Sequence, residues 1–279
     1  MTKTTVGLLH PGSMGAAFGA QLRAREIPVL WCPEGRSAAT RRRAEHAGLE
    51  ADTLPSLLAR SGIVISLCPP AAAEAVAAEV AACGVAGTVY VEANAIAPQR
   101  MRRIAGLLRN ACVVDGAVVG SPPVGGKKPT LYLSGPAEQT SRVETLFTGT
   151  DVLTRRLGHD TGKASALKLA YSSYQKASRV LAAIAYGAAD AHGVGDELLA
   201  IAAKRPGSYL SETDYIPKTA ARAWRWGPEL TDAAALLADA GIPAEIIDGA
   251  VHTLAHWDEE RDRSMSLEEA LDVLRARPE

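Results

Sequence analysis

The sequence predicts an α/β fold in which a Rossmann-type doubly wound parallel sheet is followed by an all-α C-terminal domain. In the first half, short continuous apolar runs alternate with helix-forming stretches, as is typical of parallel strands covered by helices on both faces. A glycine-containing turn joins the first predicted strand to the first predicted helix. Strand signals end near Gly158, where a long proline-free segment rich in Ala, Leu, Lys and Tyr begins. We therefore place the Rossmann domain at residues 1–158 and the helical domain at residues 159–279.

The individual elements follow from hydrophobic periodicity and from turn and cap residues. Strands are predicted at residues 5–9, 29–31, 62–67, 88–92, 112–115, 130–133 and 151–155. Helices of the first domain are predicted at residues 16–25, 37–47, 54–60, 71–82, 98–108 and 136–147. Ser37 is the expected N-cap of the second helix, and either Asp52 or Thr53 that of the third. Helices of the second domain are predicted at residues 161–190, 196–203, 218–223, 229–240, 243–257 and 266–276.

The charge and composition of the chain limit the classes of partner that it can bind. The 279 residues carry 30 Lys and Arg against 31 Asp and Glu, which gives a formal net charge of −1. Without a basic excess, the chain favours neither nucleic acid nor an anionic membrane surface as its partner. No apolar run reaches the roughly 20 residues of a membrane span, and the N-terminus lacks the pattern of a signal peptide. We expect a cytoplasmic protein that acts on a small molecule.

The four cysteines are widely separated and have neither C-x-x-C spacing nor the spacing of metal ligands. They are Cys32, Cys68, Cys83 and Cys112. We therefore expect neither a metal site nor a disulfide framework, and we interpret these residues as buried free thiols. Cys32 and Cys68 each directly follow a predicted strand and are also candidates to border a ligand. Cys68 and the adjacent Pro69 are the candidates for contact with a bound cofactor.

The turn after the first strand predicts a dinucleotide site. Gly12 and Gly15 occupy the second and third glycine positions of a G-x-G-x-x-G motif, and His10 stands at the first. The second glycine lets the backbone approach a pyrophosphate, and the third lets the helix pack closely on the strand. We expect the pyrophosphate to lie against the residues of this turn, which are Pro11, Gly12, Ser13, Met14 and Gly15. The alternative is a turn that serves helix packing alone.

The choice between the two nicotinamide cofactors depends on the residues after the second strand. An acidic residue there binds the ribose 2′-hydroxyl of NAD, whereas an arginine accommodates the 2′-phosphate of NADP. Glu34 and Arg36 offer both, but Arg36 lies next to Ser37 and shortly before three further arginines. We therefore expect NADP(H), with NAD(H) less favoured and a solvated arginine face as the alternative.

These residues resemble the β-hydroxyacid dehydrogenases, which include 3-hydroxyisobutyrate dehydrogenase, 6-phosphogluconate dehydrogenase and the related imine reductases. The matching segments are Gly12-Ser13-Met14-Gly15, Arg36-Ser37 and residues 94–98, 115–121 and 162–168, in the family's order. The helical remainder, with Trp226, resembles the C-terminal domain of an uncharacterised phosphogluconate-dehydrogenase-like branch. The resemblance implies a homodimer formed through the helical domains. It also implies that Asn94 lies beside nicotinamide, although a turn residue before Pro98 is the alternative.

The resemblance also implies a catalytic lysine. The segment 162–168 keeps the first glycine and the lysine of the family's G-x-G-x-x-x-K motif, and Lys168 is that lysine. An ammonium there stabilises and protonates the oxygen that becomes negative on hydride transfer. Lys163 lies nearer the turn and does not match the lysine of the motif, so we do not expect it to be catalytic. Tyr171 faces a similar direction to Lys168 on the helix, and Ser172 takes the position of a family asparagine that holds the substrate. Core packing is the alternative role for Tyr171.

The substrate is less defined than the reaction class. Val119, Gly120 and Ser121 match the family's carboxylate-binding loop, but Val119 stands where the family has serine. The resemblance also implies that Trp226 is a candidate for substrate contact, contributed by the partner subunit. We expect an NADP(H)-dependent oxidoreductase that interconverts a small polar alcohol and its carbonyl compound, with Lys168 as general acid and base. The alternatives are an imine or enamine reductase and a nucleotide-sensing module without turnover.

Overall fold

The computed structural model has eight strands among the residues that it describes, and they confirm the predicted doubly wound α/β fold. They are β1 (Val6–Leu9), β2 (Val29–Trp31), β3 (Glu50–Ala51), β4 (Ile63–Ser66), β5 (Val89–Glu92), β6 (Cys112–Val119), β7 (Thr130–Ser134) and β8 (Leu153–Arg156). The sheet order is β3-β2-β1-β4-β5-β6-β7-β8. The strand order reverses between β1 and β4, and in open α/β sheets ligands bind in the crevice at such a switch point.

The structure describes residues 4–204, 207, 213–224, 226, 227, 230, 234, 238 and 241–276. Contacts divide the chain into two units, Met1–Tyr171 and Ser172–Glu279. The predicted boundary at residue 158 marks the end of the strands and stays a prediction. Most of the helix predicted at residues 229–240 lies outside the described residues.

In the described part of the first unit, six helices lie between the strands of the sheet. They are α1 (Ser13–Ala24), α2 (Ala38–His46), α3 (Leu54–Arg60), α4 (Ala73–Ala82), α5 (Pro98–Leu107) and α6 (Ala137–Phe147). The expected caps are present: Ser37 Oγ accepts the Thr40 N–H at the start of α2, and Thr53 Oγ1 accepts the Ser56 N–H at the start of α3. Each cap satisfies one of the backbone donors that a helix leaves unpaired in its first turn.

The strands next to the switch point are buried on both faces, as their continuous apolar sequences predict. All residues of β1, β4 and β5 are buried. On one face a hydrophobic cluster joins the sheet to α1, α2 and α6, and Phe18 meets Phe147 edge to face at 5.3 Å between ring centroids. On the other face a second cluster joins the sheet to α3, α4 and α5. Burial of these two clusters fixes the positions of the strand ends.

Two strand predictions are corrected by the structure. The strand predicted at residues 112–115 continues to Val119, because residues 115–119 pair antiparallel with β7. Residues 120–129 contain no helix, so the chain folds back as a hairpin rather than through a parallel crossover. β3 was not predicted, since its two residues are exposed and carry no apolar pattern.

The prediction of four buried thiols is confirmed for Cys68 alone. All four cysteines are free, but only Cys68 is buried; Cys32 is half-buried, and Cys83 and Cys112 are exposed. Cys83 caps the C-terminus of α4, and Cys112 is the first residue of β6, so both lie at element ends outside the packed clusters.

The other helices in the described part of the chain begin with a long one that continues from the first unit into the second. They are α7 (Lys163–Ala191), α8 (Gly195–Ala203), α9 (Ile216–Ala220), α10 (Glu245–Leu254) and α11 (Leu267–Arg275). In the second unit α9, α10 and α11 contribute to a small apolar cluster of Ala220, Ala223, Leu254, Trp257 and Ala270. Ser266 and Glu269 form a capping box at the start of α11. None of the helices in the described part of the chain has both the length and the apolarity needed to cross a membrane.

Candidate functional site

The sheet aligns four residues in register where its central strands approach their carboxyl ends. Leu9 of β1 pairs with Ser66 of β4, Ser66 with Glu92 of β5, and Glu92 with Asp115 of β6. The segments that follow β1, β4 and β5 therefore leave the sheet side by side. They carry the predicted site residues of the glycine turn, Cys68, Pro69 and Asn94.

The glycine turn presents the N-terminus of α1. Gly12 is the N-cap, and no side chain caps this end of the helix. A Cβ added at Gly12 would meet nothing within 4 Å, whereas one at Gly15 would lie 2.8 Å from the carbonyl oxygen of His10. Gly15 thus allows the close helix packing, and Gly12 leaves open space in front of the first-turn amides. Such a helix end attracts anions through its N–H groups and its dipole.

A cavity of about 420 Å³ lies beside this turn. It is lined by Leu9, His10, Cys32, Glu34, Gly35, Arg36, Leu54, Val76, Glu79 and Val80. Arg36 Nε and His10 Nδ1 are buried and have no hydrogen-bond partner among the described residues. Buried polar atoms in proteins are normally paired, so these two nitrogens mark the cavity as a place for a polar ligand.

His10 stands at the first glycine position of the motif in a left-handed conformation, with φ of 66°. Burial, and secondarily the charge of Arg36, lower the pKa of His10 from 6.5 to about 4. The imidazole is therefore neutral at physiological pH. Arg36 is then the cation among the described residues that line the cavity, and it lies there with the carboxylates of Glu34 and Glu79.

The other basic residues of this region mainly support the backbone. Arg43 Nε donates to the Pro11 carbonyl at 3.4 Å, and Arg41 Nε donates to the Arg36 carbonyl at 3.3 Å. The Ser37 hydroxyl is engaged in capping α2. The structure thus brings Arg36, rather than the whole basic segment, to the cavity.

A cluster of polar side chains lies buried behind the ends of β4 and β5. It consists of Ser66, Cys68, Tyr90, Glu92 and Asn94, and we call it the Glu92 cluster. Glu92 is fully buried; its Oε1 accepts the side-chain and backbone N–H groups of Asn94, and its Oε2 accepts the Tyr90 hydroxyl at 3.4 Å. Burial raises the pKa of Glu92 from 4.5 to about 7, although these hydrogen bonds oppose the shift. Burial also raises the pKa of the Cys68 thiol and of Tyr90.

Sequence reasoning identified Cys68 and Asn94 but missed Glu92. The available signal was a carboxylate at the end of an otherwise apolar strand, Val89–Glu92, where the neighbouring residues predict full burial. A charged side chain is seldom buried in such a place without a role.

A second buried carboxylate, Asp115, connects β6 and β7 to the start of α7. Its Oδ2 accepts N–H groups of Gly162 and Ser165 at 2.9 and 3.1 Å and the Ser134 hydroxyl at 2.9 Å. Its Oδ1 accepts the Ser165 hydroxyl at 2.6 Å. Gly162 has φ of 109°, and a Cβ there would lie 3.2 Å from Pro98. The first glycine of the lysine motif is thus required by the turn into α7.

Lys163 and Lys168, in the first two turns of α7, are in different environments. Lys163 is exposed and forms an ion pair with Asp160 at 2.7 Å. Lys168 is half-buried, and its Nζ lies 5.9 Å from the centroid of the Tyr171 ring. Ser172 is buried and begins the second unit. Lys168 and Tyr171 are therefore brought together, as their spacing on the helix predicts.

The candidate substrate residues lie in two places. Val119 ends β6, Gly120 follows with φ of 121°, and Ser121 is exposed. A Cβ at Gly120 would lie 3.0 Å from Pro129 Cα, so this turn requires glycine. Trp226 is half-buried and packs against the apolar cluster of the second unit. Among the described residues, no group of three or more His, Cys, Asp or Glu could hold a metal ion.

Comparisons with known proteins identify the fold. A reductive aminase from Aspergillus terreus, in complex with NADPH and ethyl levulinate, is 21% identical with a TM-score of 0.74, over 98% of this chain and 100% of that one. An imine reductase from Streptomyces aurantiacus is 19% identical with a TM-score of 0.75, over the same shares. The chain has the fold of the imine reductases. This likeness confirms the fold that the resemblance to the β-hydroxyacid dehydrogenases and imine reductases implied.

Two further findings concern other groups. A conserved protein of unknown function, described as structurally similar to 3-hydroxyacid dehydrogenases, is 23% identical with a TM-score of 0.61, over 98% of this chain and 100% of that one. The model of a domain of unknown function, DUF1932, matches residues 189–257. None of the curated protein sequences matches the chain.

The raised pKa of Glu92 predicts a pH-dependent stability. A carboxyl group with a higher pKa in the folded state stabilises the fold below its ordinary pKa of 4.5, and this contribution is lost as the pH rises to about 7. Glu92→Gln has no carboxyl group to ionise at this position, so it does not lose this stabilisation. The free energy of unfolding of the variant, minus that of the parent protein, should therefore increase by about 3 kcal/mol between pH 4.5 and 8. Urea unfolding across this range measures the difference. Glu45→Gln, at an exposed position of α2, should show no such trend; an equally flat difference for Glu92→Gln contradicts the prediction.

Proposed function

We propose that this protein is an NADP(H)-dependent oxidoreductase that transfers hydride between the cofactor and a small polar substrate. The observation that carries the proposal is the cavity beside the uncapped N-terminus of α1, with the unpaired buried nitrogens of Arg36 and His10. A guanidinium and a row of free amides fit a ligand with two separate phosphate groups. The fold likeness to enzymes crystallised with NADPH supports the same assignment.

The cofactor would extend from the cavity across the switch point of the sheet. Arg36 and Ser37 would meet the 2′-phosphate, and the pyrophosphate would lie on the turn from Pro11 to Gly15. Cys68, Pro69 and Asn94 would border the nicotinamide half, because they follow the strands of the other half of the sheet. Glu34 also lines the cavity, which is why NAD(H) is retained as the less favoured cofactor.

Lys168 is the proposed general acid and base. When bound, the cofactor supplies the hydride; in reduction, Lys168 gives its proton to the substrate oxygen, and in oxidation it takes that proton back. The hydrogen bonds of Asp115 hold the start of α7 and thereby place Lys168. Tyr171 lies against Lys168, and Ser172 follows on the same helix; we propose that both contribute to the substrate site. Residues 119–121 would orient the polar end of the substrate.

A second candidate function is the reduction of an imine or enamine. Two observations favour it: the fold likeness to imine reductases, and Val119 at the serine position of the carboxylate-binding loop. A valine removes a hydroxyl donor for a substrate carboxylate, so an ordinary hydroxyacid loses one hydrogen bond.

We also propose a homodimer formed through the helical region. None of the nine residues of α8 is buried, and Leu199 and Ile201 are 53% and 63% exposed. A helix with an exposed apolar surface favours contact with another protein surface. In such a dimer, Trp226 of one subunit would contribute to the substrate site of the other.

The first test compares NADPH and NADH binding by fluorescence titration. Arg36→Ala should weaken NADPH binding by about 10- to 100-fold, because a charge-assisted pair with the 2′-phosphate is lost. NADH binding should change less than about twofold. Arg42→Ala, at an exposed position of α2 away from the cavity, should change neither affinity. Equal weakening of both cofactors by Arg36→Ala would show a structural arginine, and absence of binding by the parent protein would remove the oxidoreductase assignment.

Turnover assays with a panel of carbonyl compounds and cyclic imines test the role of Lys168. Lys168→Ala should lower kcat by about 10²- to 10⁴-fold with nearly unchanged NADPH affinity, as expected for loss of a general acid. Lys163→Ala, which removes only an exposed ion pair, should keep kcat within about twofold. Turnover of imines alone, insensitive to Lys168→Ala, would favour the second candidate. NADPH binding without any turnover would indicate a nucleotide sensor.

Sedimentation velocity tests the dimer. The parent protein should sediment as a dimer, and Ile201→Glu should shift it toward monomer, because a charge at an apolar interface is unfavourable. Asp196→Lys, on the exposed surface of the same helix, should leave the dimer intact. A monomeric parent protein contradicts the proposal.

A further inference from the structure

The Glu92 cluster contains a buried carboxylate that the proposed reaction does not use. Glu92 has no exposed surface, so it cannot itself contact a substrate or a cofactor. A buried ionisable group costs stability unless it is well paired, and Glu92 retains a raised pKa despite its hydrogen bonds. Its effect on the site must therefore pass through a neighbour, and Asn94 is the neighbour bound to it most closely.

The hydrogen bonds of Asn94 determine which end of its amide faces the cluster. Asn94 Nδ2 donates to Glu92 Oε1, to Ser66 Oγ at 3.3 Å and to Cys68 Sγ at 3.2 Å. An NH₂ group has two hydrogens, so three acceptors saturate it. Asn94 Oδ1, which is an acceptor, is the amide atom left to meet a ligand. An ionised carboxylate is suited to this role because it only accepts hydrogen bonds and so draws the NH₂ end inward.

Asn94 lies in the half of the sheet opposite the cavity. The doubly wound fold consists of two mononucleotide-binding halves. Arg36 and most of the cavity lining belong to the half that contains β2, and α4 of the other half contributes Val76, Glu79 and Val80 to one wall. β5 is three strands away from β2, or roughly 14 Å at about 4.8 Å per strand. A dinucleotide with its adenosine in the cavity and its pyrophosphate on α1 would bring its second nucleoside to the ends of β4 and β5. The ribose of that nucleoside carries hydroxyl groups that can donate to an amide oxygen.

We propose that Glu92 is a positioning residue, which holds Asn94 so that its Oδ1 accepts a hydrogen bond from a ribose hydroxyl of the nicotinamide half of NADP(H). This inference rests on the proposed function. It assigns Glu92 to the nicotinamide half of the cofactor alone, whereas Arg36 serves the adenosine half. Substitution of Glu92 should therefore weaken the binding of a ligand that contains nicotinamide and leave unchanged the binding of one that does not.

The test compares affinities for NADPH and for 2′,5′-ADP, which contains only the adenosine half. Glu92→Leu should weaken NADPH binding about tenfold, since Asn94 loses its orientation, and change 2′,5′-ADP binding less than about twofold. Glu92→Gln keeps one acceptor oxygen and should cause a smaller loss. If Glu92→Leu instead disturbs the structure, the binding of both ligands should weaken. Equal weakening of NADPH and 2′,5′-ADP binding overturns the inference.

A double-mutant cycle tests whether Glu92 acts through Asn94. Asn94→Ala should weaken NADPH binding about tenfold, and adding Glu92→Leu to it should cause no further loss beyond about twofold. A combined loss of about 100-fold would mean independent effects and overturn the inference, as would normal NADPH affinity in Glu92→Leu. If thermal unfolding shows that Glu92→Leu does not fold, Glu92→Gln takes its place in the same cycle.

Binding measurements on the parent protein distinguish a failure of this inference from a failure of the proposed function. Binding of neither NADPH nor 2′,5′-ADP contradicts the proposed function itself. Binding of both with the predicted effect of Arg36→Ala, but without the selective effect of Glu92, leaves the proposed function standing and overturns the inference.

Discussion

One buried carboxylate joins the sheet to the helix on which the proposed chemistry depends. Asp115 accepts hydrogen bonds from Gly162, Ser165 and Ser134, so that β6, β7 and the first turn of α7 share a single acceptor. A negative charge is also favourable at a helix N-terminus, where the dipole and the unpaired N–H groups are concentrated. Lys168 lies one to two turns further along α7, and its place relative to the sheet follows from this attachment. Loss of the Asp115 carboxylate would leave several buried donors unpaired at once, which is costly.

The glycine turn shows how a departure from a motif can be accommodated. His10 stands where the motif has a glycine, and its backbone adopts a left-handed conformation that a side chain disfavours. The side chain enters the lining of the cavity, where burial and Arg36 keep it neutral. A protonated imidazole would repel Arg36, whereas a neutral one leaves the guanidinium as the anion-binding group. The substitution thus changes the wall of the cavity without removing the features that suit a phosphate.

The elements that sequence reasoning predicted well are those in which burial leaves a local pattern. β4 and β5 are buried on both faces, and their continuous apolar runs show it; α2 and α3 begin at cap residues that act within three positions. Two of the features that were missed depend on distant partners. The extension of β6 to Val119 needs β7, and the role of Asp115 needs donors 47 and 50 residues further along the chain. Motif comparison located Asp115 and Lys168, but it could not supply the hydrogen bonds by which Asp115 holds the start of the helix that carries Lys168.

The two buried carboxylates, paired in register across β5 and β6, illustrate why position alone does not assign a role. Asp115 receives two backbone N–H groups and two hydroxyls from the start of α7 and from β7, and these donors belong to elements that it fixes together. Most of the hydrogen bonds of Glu92 come from Asn94 and Tyr90, in its own strand and the residues that follow it, and the Ser66 hydroxyl of the neighbouring strand β4 adds a further one. Its hydrogen bonds therefore organise a local side-chain cluster rather than the fold. A carboxylate that is costly to bury and contributes little to joining elements is best explained by the orientation that it imposes on the residue in front of it, and here that residue is Asn94.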